Sequence, residues 1–467
     1  MKKFSRRQFI GQASCAAIGS TSLINALLNL KAINALAISN SALDPAYKAL
    51  VCLNLSGGND AFNMLVPMST KEFGDYQLSR GNLAIPKADL LPLQVGNTPG
   101  RTFGVNPYMP ETQRLYNDGK LTFVSNVGTL LEPVTQNAFY DGSVKLPLGL
   151  LSHSDQAQQW QTSLADQRAT VGWGGRLADL IRDMNSSDKI SMNLSLAGTN
   201  LFQTGNETIE FAIDPYQGSI GIEGYGSDNM YDQFNIIRGR ALDSIIDHAY
   251  ADPFQKTYID VIKSSRDGHR QFSDALESAP ELQTSFTDNY ISNAFKMVSR
   301  TISAHEQLGF KRQIFFIDFQ GWDHHDEVLQ NQGQMLEVVD NALSEFNKAL
   351  EELNLFQQVT TFTMSEFGRS LTSNGNGSDH AWGGNVMVMG GAVVAKKMFG
   401  QYPLLGPKSP LNVYDGVIIP TTSVDQYFAE LALWMGVSPS DLNYALPNIG
   451  NFYNPQSGKK PIGFLNF

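Results

Sequence analysis

The stretch Gly321-Trp322-Asp323-His324-His325-Asp326-Glu327 carries two of the chain's seven histidines side by side, with three carboxylates around them. Nowhere else does the sequence crowd so many metal-capable side chains together. Immediately before it, Gln313-Ile314-Phe315-Phe316-Ile317-Asp318-Phe319 is a β-branched and aromatic run with the length of a buried strand. After it, Leu329, Leu336, Val339, Leu343, Phe346, Leu350 and Leu353 keep a helical rhythm, which predicts one apolar stripe on a helix of about seven turns. The cluster therefore lies on a strand-to-helix loop. In open α/β sheets ligands bind at such loops, outside the carboxyl ends of the strands.

Two further strands end in the same manner. Residues 47–55 read as the first core strand and run into Ser56-Gly57-Gly58-Asn59-Asp60, where paired glycines permit a tight turn with Asp60 at its tip. Residues 358–364 form another, followed at once by Ser365-Glu366-Phe367-Gly368-Arg369. If these strands are neighbours in one parallel sheet, Asp60, Asp323 and Glu366 meet in one crevice, and His325 and His380 join them from adjacent loops. Such mixed carboxylate and imidazole ligands suit zinc, manganese or iron, as one or two divalent ions. Without a metal, carboxylates so close together repel and raise one another's pKa. Singly, each residue has a plainer reading: Asp60 as a turn former or helix cap, His380 as a solvated loop residue. The coincidence of several segments at one end of the sheet favours a site.

Elsewhere, residues 121–126, 190–197 and 385–389 read as strands, and 111–117, 156–163, 176–184 and 424–435 as helices. The Pro-, Gly- and Asn-rich stretch 61–110 predicts excursion loops with little regular structure. Between 199 and 235 the composition shifts to a long surface excursion, and from 236 to 308 helical patterns dominate, so about 199–308 is expected to be an insertion beside the sheet. Ser152-His153-Ser154-Asp155 stands at the start of a helix, where serine or aspartate is a natural cap.

The first 37 residues hold five basic side chains and no acidic one. Ser5-Arg6-Arg7-Gln8-Phe9-Ile10, a mildly apolar Ala-rich stretch and Ala35-Leu36-Ala37 read together as a cleavable twin-arginine export signal, so 1–37 is a signal peptide and 38–467 the mature domain. The translocase is the implied partner, and the expected location is periplasmic or secreted. Removing those five positive charges takes the formal net charge from −11 to −16. That balance argues against nucleic acid and anionic membrane as partners. Only Cys52 survives processing, so no internal disulfide forms, and its place inside an apolar strand makes it a packing residue. No apolar run in the mature chain approaches the roughly 20 residues that span a bilayer.

Leu55-Ser56-Gly57-Gly58-Asn59-Asp60, Ser152-His153, Gly321-Trp322-Asp323 with His325, Ser365-Glu366-Phe367-Gly368-Arg369, Asp379-His380 and Val424-Asp425-Gln426-Tyr427 together resemble the twin-arginine-exported bacterial family called domain of unknown function 1501. That family is similar to the alkaline phosphatase and sulfatase superfamily. The resemblance implies an α/β fold with a large, mostly parallel central sheet flanked by helices, and a metal site for phosphate or sulfate esters of small molecules or glycans. It further implies Asp60, Asp323, His325, Glu366 and His380 as metal ligands. Superfamily hydrolases attack with a Ser or Thr near a helix start, a place that Ser152 and Ser154 occupy. His153 is then a base, ligand or phosphate contact, and Arg369 a clamp for an oxyanion. Two departures stand out. The superfamily puts three residues between the aspartate and histidine of the first metal, where Glu327 stands here, and Phe367 replaces a ligating histidine of the second. A non-catalytic periplasmic protein that binds a ligand or organises partners through a degraded site is therefore the alternative.

Overall fold

The protein is described by a computed structural model covering residues 46–467 apart from 188, 223–224 and 226–230. The export signal read at 1–37 lies outside the described residues.

Nine strands build one central sheet: β1 (Lys48–Ser56), β2 (Leu121–Gly128), β3 (Asn193–Ser195), β4 (Phe211–Ala212), β5 (Arg312–Gln320), β6 (Val359–Met364), β7 (Gly384–Gly390), β8 (Met398–Gly400) and β9 (Thr422–Ser423). Their order is β8-β2-β7-β6-β1-β5-β3-β4, with β9 pairing β2 as well. Only β7 runs against its neighbours. The expected mixed α/β architecture with a mostly parallel sheet is thus observed. β1 lies at its centre, and Ala49 to Leu55 are all buried, as a parallel strand covered on both faces must be. Cys52 is among them, fully buried, with its thiol pushed well up by burial and by the charge of Asp318.

Helices cover the sheet. Val328–Glu352, Tyr290–Ser303 and Pro110–Asn117 pack together in one group. In the 25-residue helix, Leu336, Val339, Leu343, Phe346 and Leu350 are buried as their spacing requires, whereas Leu329 is exposed and Val328 takes its place in the core. A second group contains Val424–Met435 and Trp173–Ile181, joined by Trp173 stacked on Phe428 at 4.3 Å. The stretch read as loops after Asp60 is more ordered than its composition suggests. It holds the helix Thr70–Arg80 and a small antiparallel sheet of Leu65–Pro67, Phe103–Val105 and Leu91–Pro92, strands too short to show a period of two.

β1, β5 and β6 are adjacent and in register, with Asn54 opposite both Asp318 and Met364. Their carboxyl ends therefore release three loops side by side. A ribbon of Arg369–Ser373 against Ser378–His380 then folds back and sets His380 opposite Arg369.

Candidate metal centre

Gly57 and Gly58 have φ of +124° and +90°, a region that L side chains rarely adopt. A Cβ on Gly57 would lie 2.5 Å from the Asp323 nitrogen, and one on Gly58 would lie 2.3 Å from the Phe367 ring. The two glycines let the first loop nest under the other two. Ser56 accepts the Gly321 and Trp322 N–H groups at 3.1 Å each, and Gly57 N–H donates to Glu366 Oε1 at 2.7 Å.

Asp323 is the hub. Its Oδ1 lies 3.0 Å from His325 Nε2 and 3.4 Å from His380 Nε2, and its Oδ2 lies 3.4 Å from His153 Nε2. Each imidazole is held by its other nitrogen. His153 Nδ1 faces Glu366 Oε1 at 3.2 Å, His325 Nδ1 faces Asp379 Oδ1 at 3.2 Å, and His380 Nδ1 donates to the Leu151 carbonyl at 2.8 Å. With Nδ1–H committed outward, all three Nε2 lone pairs turn toward Asp323, the arrangement by which outer partners orient metal-binding histidines. His325 and His380 Nε2 are 2.9 Å apart, and His153 Nε2 is buried without a hydrogen-bond partner. Ligand atoms of His153, Asp323 and His380 lie within 4.8 Å of one another. His153, Asp323 and His380 fit a single divalent ion, with His325 Nε2 beside them at 3.0 Å from Asp323 Oδ1.

The charge balance agrees. Burial raises the Asp323 carboxyl, but hydrogen bonding and charge from Arg369, then His153 and His325, outweigh it and hold the group below the usual carboxylate range. His380 is held below the usual imidazole range by burial first, with His153 and Arg369 also lowering it. Phe367 packs flat on His380 with ring centroids 4.7 Å apart. His324 turns away: it is buried, and burial pushes it down to about 4, so it stays neutral. Of the adjacent pair, His325 is the one that faces the cluster.

Several residues stand elsewhere than the sequence suggests. Asp60 is fully buried and paired with Arg80, whose guanidinium also reaches Ser370 and Leu371 carbonyls; an ion pair thus fills the place expected of a metal ligand. Glu366 supports His153 and the Gly57 turn. Arg369 is buried, and it bonds Gly57, Gly58, Ser378 and Trp322 carbonyls and Asp323, which commits it to bracing the loops in place of clamping an oxyanion. Glu327 is exposed at the helix N-cap with φ +49°. Ser152 occupies the N-cap of the helix His153–Thr162 without a side-chain capping bond; its Oγ lies 3.2 Å from Ser154 Oγ. His153 as ligand was open among three roles, and the missing clue was Glu366 more than two hundred residues away, which no local pattern reveals.

The fold and site define an α/β protein with a histidine-rich, carboxylate-centred cluster at the carboxyl edge of a parallel sheet. The chain belongs to the family described as Protein of unknown function (DUF1501), whose model matches residues 47–444. No curated protein matches it in sequence. Among solved structures it is similar to Ps i-CgsB in complex with k-i-k-neocarrahexaose, at 12% identity and a TM-score of 0.34, over 88% of this chain and 77% of that one. It is also similar to a mutant of the alkaline phosphatase PafA, at 12% identity and a TM-score of 0.28, over 70% and 64% of the two chains. A third is the lipoteichoic acid synthase LtaP from Listeria monocytogenes, at 8% identity and a TM-score of 0.26, over 71% and 60%. Among the described residues no helix is long and apolar enough to cross a membrane.

Proposed function

We propose that this protein is an exported, metal-dependent hydrolase or transferase acting on a phosphate or sulfate ester of a small molecule or glycan. The observation that carries the reading is the convergence of three Nε2 atoms on Asp323, each imidazole held from behind through Nδ1. His153, Asp323, His325 and His380 would hold one ion of zinc, manganese or iron. When bound, such an ion polarises an ester oxygen and lowers the pKa of a coordinated hydroxyl or water.

The chain's own residues supply the rest. Arg369 keeps Asp323 ionised and the loops in register. Glu366, Asp379 and the Leu151 carbonyl fix the imidazole tautomers. Ser152 stands at the N-terminus of a ten-residue helix, where unpaired N–H groups stabilise an oxyanion, and with Ser154 beside it is the candidate nucleophile. Twin-arginine export to the periplasm or beyond suits a protein whose site needs the finished fold.

Phe367, lying against both His153 and His380, favours a second reading in which the site binds a ligand without turnover. The test is metal analysis of natively exported protein, followed by assays with aryl phosphates and aryl sulfates. Bound metal with turnover that is lost in Asp323→Asn supports the enzyme. Undiminished turnover after removing both Asp323 and His380 rules it out, and full occupancy with no turnover selects the binding protein.

A further inference from the structure

A cavity of about 760 Å³ opens beside the cluster at the same edge of the sheet, between the ends of β5, β3 and β4. Its volume is that of a small-ligand pocket. Asp318, Phe319 and Gln320 line it from β5, Asp214 from the turn after β4, and Tyr290 from the start of its helix. Gln320 precedes Asp323 by three positions, so the two backbones lie within about 11 Å of each other, the reach of a fully extended chain.

The lining is electrically one-sided. Among the described residues that form it there is no Lys, Arg or His, and no salt bridge among the described residues reaches Asp318 or Asp214. Asp318 accepts only from neutral amides, Asn54 at 2.8 Å and Gln320 at 2.9 Å. Asp214 Oδ1 takes the Tyr216 and Gln217 N–H groups. Aromatic walls stand beside these charges: Phe319, partly buried, and Tyr290, whose hydroxyl is spent on the Leu196 carbonyl at 2.7 Å and whose ring is left as the contact surface. The Tyr290 phenol is pushed up by burial first and then by the charges of Asp318 and Asp214. Carboxylates without a counter-ion next to aromatic rings attract an organic ammonium group and repel an anion.

We infer that this cavity binds a quaternary or primary ammonium group, so that the alcohol half of the ester is a cationic amino alcohol. The second clause rests on the ester reading above, and the binding itself does not. The experiment titrates the mature protein with choline by calorimetry, in wild type, Asp318→Asn and Tyr290→Leu. Expected is saturable binding that weakens at least tenfold in Asp318→Asn and weakens in Tyr290→Leu. Absence of choline binding to wild type, or wild-type binding in Asp318→Asn, overturns the inference. A second arm compares turnover of phosphocholine with that of 2-hydroxyethyl phosphate. Choline binding with neither ester turned over sinks the phosphate-ester reading while leaving the ammonium site, and equal kcat/KM for the two esters removes the cationic alcohol.

Discussion

Replacing Glu366 by glutamine separates a carboxylate that orients a ligand from one that is a ligand. Glu366 Oε1 sits 2.7 Å from the Gly57 nitrogen and 3.2 Å from His153 Nδ1. Glutamine keeps the shape and one acceptor oxygen but loses the charge that holds the His153 proton outward. Loss of such a partner lowers metal affinity by about 10- to 100-fold, which corresponds to about 1.4–2.7 kcal/mol. Competition between the purified mature protein and a chromogenic zinc chelator reads this directly. Wild type and Glu366→Gln should each bind one ion per chain, the variant with a Kd raised by that factor, while Asp323→Asn falls further. Wild-type affinity in Glu366→Gln, or a second ion that the substitution removes, would refute the reasoning, since Glu366 would then be a bystander or a direct ligand.

Asp425 lies buried between Ser163 and Ser423, and burial pushes its carboxyl up to about 6. The folded state therefore holds this proton more tightly than the unfolded chain. Its favourable contribution is full below about pH 4 and is lost as pH rises through about 6, a swing of about 3 kcal/mol. Asp425→Asn should accordingly gain melting temperature over wild type at pH 8 relative to the difference seen at pH 4. Gly57→Ala should lose about 2–5 kcal/mol in denaturant titration, because the new methyl meets rigid backbone at a positive φ; metal binding should fall with it. Arg80→Met should lose about 3–5 kcal/mol by leaving Asp60 buried and unpaired, and the double substitution Asp60→Leu/Arg80→Met should recover most of that loss.

The sheet was legible because its central strands carry apolar runs: Ala49 to Leu53 and Ile314 to Ile317 are buried without interruption, which a sequence displays openly. The loops that follow them were legible for the same reason, since neighbouring parallel strands must deliver their carboxyl ends together. Partnership was not. Asp60 and Arg80 are separated by the strand Leu65–Pro67 and most of the helix Thr70–Arg80, and nothing in either residue's surroundings announces that they neutralise each other. Arg369 reads as an oxyanion clamp through the resemblance alone, and only the folded ribbon shows its donors taken by four carbonyls and Asp323. For His153 the sequence leaves base, ligand and phosphate contact open, and the contact with Glu366 that orients it depends on where a helix start meets a strand end.

The four ligand candidates enter from three separated stretches, around residues 153, 323–325 and 380. No hairpin, lone helix or half-built sheet can gather them. An ion held there would work as a completion mark: the affinity of the pocket would be part of the stability of the finished chain. If the proposed ion is bound, chelation should loosen these loops, and a polypeptide truncated before His380 should not bind it.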